Sequence, residues 1–115
     1  MLDISSRRQG DTLIVNIIGE LDHHTAKIAR DKLDIILDDR SLKNMVVNLS
    51  QLNFMDSSGI GVFIGRYNKL SKRKGKIGVY GLNTHIKKIW EISGLYKIID
   101  IYENLEDSLD GIWEV

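Results

Sequence analysis

Met45-Val46-Val47-Asn48-Leu49 and, shortly after it, Asn53-Phe54-Met55-Asp56-Ser57-Ser58-Gly59-Ile60-Gly61 decide how this chain folds. The first run is compact and nearly continuously apolar, as a strand buried on both faces of a sheet must be. The second leads into Ile60, Phe63, Ile64, Tyr67 and Leu70, which recur at helical spacing. A buried strand that feeds a helix is the repeating step of an α/β domain. The expected arrangement is a loop from Asn53 to Gly59 and a helix that starts near Ser57 and runs into a basic end.

Toward the N-terminus, Ile4–Arg8 and Thr12–Ile18 are β-prone runs separated by Gln9-Gly10-Asp11, which suits a hairpin. Ala26, Ala29, Leu33, Ile36 and Leu37 then predict a helix reaching about Arg40, with Asp22 as its N-terminal cap. Toward the C-terminus, Lys76–Gly81 reads as a strand. Ile86, Ile89 and Trp90 mark a short helix stopped by Gly94, and Lys97–Ile101 returns to strand character. Leu105, Leu109, Ile112 and Trp113 predict a last helix. The expectation is one α/β domain over residues 1–115, a mixed sheet of four to five strands backed by about four helices, with right-handed crossovers.

Composition narrows the chemistry. The 115 residues have room for one core, and sixteen basic residues are matched by sixteen acidic ones, so bulk charge points to no polyanion. There is no cysteine, which excludes disulfides, thiolate metal sites and cysteine nucleophiles. Met1–Gly10 lacks the apolar stretch of a signal peptide, and no apolar run approaches the roughly 20 residues that span a bilayer. A cytoplasmic protein without a membrane partner is expected.

The loop carries two adjacent hydroxyls and a carboxylate at a helix start. Asp56 or Ser57 suits the N-cap. Capping leaves Gly59, Gly61 and Gly65 unexplained, because each costs about 1 kcal/mol relative to alanine inside a helix. Something must approach that backbone closely, either the sheet below or a partner above.

Gly19-Glu20-Leu21-Asp22-His23-His24-Thr25-Ala26 and Phe54-Met55-Asp56-Ser57-Ser58-Gly59-Ile60-Gly61 resemble the signatures of STAS-domain anti-sigma factor antagonists, the sporulation sigma-F branch most of all. The resemblance continues through Gly65-Arg66-Tyr67 and Ser93-Gly94-Leu95-Tyr96-Lys97-Ile98-Ile99. It implies a non-catalytic switch whose unphosphorylated form binds an anti-sigma factor serine kinase and releases the sigma factor. It implies that the second serine of the Asp-Ser-Ser-Gly segment, Ser58, is the phosphorylated residue, and that a metal-dependent serine phosphatase restores the active form. Asp22, His23, Asp56, Ser57, Gly59, Ile60 and Gly61 are the expected partner contacts. The chain itself needs no cofactor, since ATP and magnesium belong to the kinase. Control of a general stress sigma factor, or a nucleotide-binding STAS module, are the alternatives.

Rival chemistries fit less well. Ser58 lacks the Gly-x-Ser-x-Gly elbow of a hydrolase. Adjacent His23 and His24 are poorly spaced to share a metal ion, and His85 is remote in sequence. Gly59-Ile60-Gly61-Val62-Phe63-Ile64-Gly65 is one residue out of step with Gly-x-Gly-x-x-Gly. Arg66, Lys69, Lys72, Arg73, Lys74 and Lys76 complement a helix C-terminus and carry no interleaved stacking aromatic, so no direct nucleic-acid contact is expected. Trp90 and Trp113 are expected to pack in the core.

Overall fold

The computed structural model describes residues 1–114. In chain order the elements are β1 Leu2–Gln9, β2 Thr12–Leu21, α1 Ala26–Leu37, β3 Asn44–Asn48, β4 Leu52–Met55, α2 Ser57–Ser71, β5 Ile77–Tyr80 and α3 Thr84–Ser93. A single 3-10 turn, Leu95–Lys97, then leads to β6 Asp100–Tyr102 and α4 Leu105–Trp113.

The sheet has six strands. β1 and β2 form the expected antiparallel hairpin across Gly10-Asp11, and β2, β3, β5 and β6 follow side by side in parallel. β4 pairs with the far end of β2 alone. The sheet is therefore mixed, and β3 lies in its middle as its apolar run requires.

Alternation along β2 sorts the core into two layers. Leu13, Val15, Ile17 and Leu21 join Met45, Val47 and Val79 in the main core with α1, α2 and α3. Ile14 and Val46 point the other way and pack under Leu109 and Ile112 of α4. Trp90 is fully buried, its ring edge-on to Phe63 at 4.9 Å and its Nε1–H donated to the Ile99 carbonyl at 3.1 Å. Gly94 adopts φ 79°, the left-handed conformation that ends α3 where the glycine predicted it.

Several expectations are corrected. The segment expected as an open loop from Asn53 contains β4, so the sheet gains a strand beyond the four to five expected. α1 stops at Leu37 rather than near Arg40, because no apolar residue follows until Leu42 and Asp39 turns the chain by accepting the Ser41 N–H. The final strand starts at Asp100, since the residues after Gly94 first coil into the 3-10 turn. α2 buries Gly59, Val62, Phe63, Arg66 and Leu70, whereas Ile64 is exposed. Trp113 lies on α4 but is exposed, and its indole N–H is donated to Thr12 Oγ1 at 2.9 Å.

Candidate functional site

The two motifs meet because β2 and β4 are parallel neighbours, with Leu21 in register with Met55. Asp22 and Asp56 therefore leave adjacent strand ends together, and the Asp56 N–H is donated to the Leu21 carbonyl at 3.2 Å. Parallel strand ends that feed helix starts are where an α/β fold presents free backbone N–H groups.

Asp56 is the N-cap of α2. Its backbone is extended and its Oδ1 accepts the Ser58 N–H at 2.8 Å, which settles the choice between Asp56 and Ser57. Ser57, at the first helical position, is exposed, and Ser58 is half-buried. Their hydroxyls accept and donate no hydrogen bond within the described residues. Neither serine hydroxyl has a base within hydrogen-bond distance among the described residues.

Asp22 does not directly precede α1. Its Oδ1 accepts the N–H of His24 at 2.9 Å and of Thr25 at 3.1 Å, so it caps the turn that delivers the chain to Ala26. Partial desolvation pushes its carboxyl up, but those two N–H groups, the Thr25 hydroxyl and His24 outweigh this and hold it below the usual aspartate value. The Thr25 hydroxyl in turn donates to the Glu20 carbonyl at 2.9 Å, tying the turn to the end of β2. His23 and His24 are both exposed, with ring centroids 3.9 Å apart. No group of three His, Cys, Asp or Glu side chains is placed to hold a metal ion among the described residues.

The three glycines separate into two kinds. A Cβ on Gly59 would lie 2.3 Å from Met55 Cγ and 3.1 Å from Leu21 Cγ, so this glycine lets α2 sit down on the strand ends. Around Gly61 and Gly65 a Cβ would meet nothing within 4 Å. These two leave bare backbone on the outer face of the helix. All three lie inside α2, where the N–H groups beyond the first turn are committed to the helix. The cradle of loose N–H groups needed by a dinucleotide fingerprint is therefore absent from Gly61 to Gly65.

Beside Ser57 opens a cleft of about 290 Å³ between α2 and α3, lined by Asp56, Ser57, Ile60, Ile89, Ile92 and Ser93. Ile92 is 77% exposed. Exposed Phe54, at the end of β4, stacks on His85 of α3 with ring centroids 5.6 Å apart. Sequence reasoning found Ile60 but not Ile92, Phe54 or His85. The signal for Ile92 was present, since it is an isoleucine off the Ile86-Ile89-Trp90 face, with no core of its own to fill.

The basic cluster is mostly engaged elsewhere. Arg66 Nε lies 3.1 Å and Lys69 Nζ 3.0 Å from Asp34 Oδ1 on α1. Arg73 donates to the Leu37 and Leu42 carbonyls at 2.6 and 2.8 Å, satisfying the end of α1. These three cations tie α2 and the turn after it to α1. No helix of the described residues is long and apolar enough to cross a membrane.

Comparison with known proteins agrees with this layout. The family model described as STAS domain matches residues 3–108. The anti-sigma F factor antagonist of Paenibacillus polymyxa is 38% identical over 108 residues, spanning 94% of this chain and 92% of that protein. The anti-sigma-B factor antagonist of Listeria monocytogenes is 30% identical over 104 residues, 90% of each chain. Among solved structures, the anti-sigma factor antagonist SpoIIAA in its unphosphorylated form superposes with a TM-score of 0.75 at 22% identity, covering 100% of both chains.

Proposed function

Because the chain belongs to the STAS domain family, we propose that it is an anti-sigma factor antagonist of the sigma-F type, a binding protein switched off by phosphorylation of Ser58. The observation that carries this reading is the meeting of the two motifs at one surface. Asp22 and Asp56 end adjacent strands, and the serine pair and the bare backbone of Gly61 follow directly. A kinase loop can approach this surface closely, and among the described residues neither serine hydroxyl has a base beside it.

In the proposed step a serine Oγ attacks the γ-phosphorus of ATP held by the partner kinase. The bond to the β-phosphate oxygen breaks, ADP leaves, and the hydroxyl proton passes to the kinase's base. Magnesium and nucleotide come with the kinase, and a metal-dependent phosphatase reverses the modification. Family resemblance assigns the acceptor to Ser58. Ser57, exposed and lining the cleft, is then an expected contact of the kinase, while Ser58, half-buried with its hydroxyl unengaged, is the proposed acceptor.

The test is incubation with the anti-sigma kinase and Mg-ATP, followed by phosphosite mapping and by the Ser57→Ala and Ser58→Ala variants. One phosphate on Ser58, blocked by Ser58→Ala and not by Ser57→Ala, is expected. Phosphate on Ser57, elsewhere or nowhere overturns the switch as assigned. The similarity to sigma-B antagonists supports a second reading, control of a general stress sigma factor. Parallel binding to the two kinds of anti-sigma factor separates the readings, and the sigma-F partner is expected to bind more tightly.

A further inference from the structure

The free edge of β1 carries a pattern that the switch does not use. β1 and β6 are the outer strands of the sheet, but β6 has only 3 residues, whereas β1 has 8, nearly all exposed. β1 is paired on one side only, in a register that closes with Gln9 opposite Thr12 across a two-residue turn. Residues flanking such a turn form a hydrogen-bonded pair, and the ladder alternates from there. Gln9, Arg7, Ser5 and Asp3 therefore turn their backbone groups toward β2, and Arg8, Ser6, Ile4 and Leu2 turn theirs outward. An outward row of this length is a template for another strand.

The side chains say which strand fits. Asp3, Ser5 and Arg7 share the sheet face opposite buried Ile4. An antiparallel copy of β1 centred on Ser5 sets Asp3 opposite Arg7 twice over and Ser5 opposite Ser5. The pairs that exchange hydrogen bonds are then Leu2 with Arg8 and Ile4 with Ser6, which are the residues whose backbone points outward. Registers centred on Asp3 or Arg7 bring like charges face to face, and those centred on Ile4 or Ser6 pair no charges. On the other face of the sheet, Asp34 turns one flank of α1 to α2. Away from that flank, Ile28 and Ile35 are 58% and 74% exposed, one above the other on the helix.

We propose that the chain forms a weak, two-fold symmetric homodimer through antiparallel pairing of β1 with β1 of a second copy, which places the two α1 helices side by side over one continuous sheet. Asp22, Asp56 and the serines sit at the ends of β2 and β4, so both copies keep the switch surface free. The dimer stands or falls without the kinase.

The test is sedimentation equilibrium of the full chain, with the mass expected to rise from 13.1 kDa toward twice that value as concentration increases. The chain has no cysteine, so S5C provides a single thiol at the dyad, where facing non-hydrogen-bonded residues are close enough for a disulfide. S5C is expected to cross-link on mild oxidation far faster than S71C, on exposed Ser71 of α2. D3R and R7D alone should each yield monomer, and D3R/R7D together should restore the dimer. A constant monomer mass, equal cross-linking of S5C and S71C, or a double variant no more dimeric than the single ones overturns the proposal.

Discussion

At the scale of single residues, glycines that look alike in sequence do different work, and alanine distinguishes them. Gly59→Ala pushes a methyl group into the root of the Met55 side chain, and overpacking of this kind costs about 1–3 kcal/mol. Gly61→Ala meets open space and gains helix propensity of about 1 kcal/mol. Thermal melts should thus show Gly59→Ala destabilised and Gly61→Ala slightly stabilised. Kinase affinity of Gly61→Ala should fall by at least about tenfold, if a partner presses on that backbone. Unchanged affinity would place the partner elsewhere. Asp22 gives a pH prediction. Its folded pKa is held below the ordinary aspartate value of about 3.9, so its contribution is present above that value and lost as pH falls through the lower, folded one. Subtracting the acid-side melting curve of Asp22→Asn from that of the parent removes the common effect of the other carboxylates, Asp31 and Asp39 among them, and should leave this slope. No difference between the curves would mean that the turn does not depend on the charge. Residue type narrowed the α2 cap to Asp56 or Ser57 and put Asp22 at the start of α1, whereas Thr25 holds that cap position and Asp22 closes the turn before it. Which glycine faced the sheet was not legible, since that depends on Met55 and Leu21, brought there by pairing that no local pattern encodes.

At the scale of elements, periodicity located every helix and missed what periodicity does not carry. β4 has four residues with a buried-exposed-exposed-buried pattern and so never alternates. In α2 the apolar count favoured a face centred on Ile60, Phe63, Ile64 and Tyr67. The observed face is rotated because Gly59 must touch the strands and Arg66 goes inside. Arg66 is 8% exposed, and its Nε and Nη1 lack a well-formed hydrogen bond, leaving Asp34 as its counter-charge. The pair predicts an asymmetry. Asp34→Ala strands a buried guanidinium and should destabilise the α1–α2 contact by about 2 kcal/mol, less than a fully buried pair because Asp34 is partly solvated. Arg66→Met removes the charge and keeps the volume, and should cost less than about 1 kcal/mol. Urea titrations of the two variants check this. Equal losses would mean that Arg66 contributes through packing of its stem and not through the ion pair.

At the scale of the whole molecule, the alternation of strands and helices made the fold class legible, while strand order was not, because adjacency between β2 and β4 is a long-range pairing. That adjacency is what turns two separated motifs into one surface, and under the proposed function it sets the expected response to phosphorylation. A phosphoserine brings about −1.5 to −2 charges at pH 7. At the start of α2 the helix dipole and the uncommitted Ser57 N–H favour it, while Asp56 and Asp22 repel it. These opposing effects act near solvent and are screened, so the net change in stability should lie within about 1 kcal/mol of zero, a shift of only a few degrees in melting temperature. The partner faces another balance. A kinase surface that closed over a serine beside the apolar cleft and the bare Gly61 backbone must now accept a hydrated dianion or strip its water. A loss of about 3 kcal/mol there weakens binding more than a hundredfold. Aspartate in place of the acceptor serine carries one charge on a flat carboxylate and should reproduce only part of that loss. Phosphorylated and unphosphorylated chains should therefore give superposable amide spectra away from residues 56–61, nearly equal melting temperatures and kinase affinities differing by more than about a hundredfold. Spectral change that spreads through α2 and into β3 or β5 would instead mean that the modification reorganises the fold, and an order-to-disorder switch would have to replace a surface one.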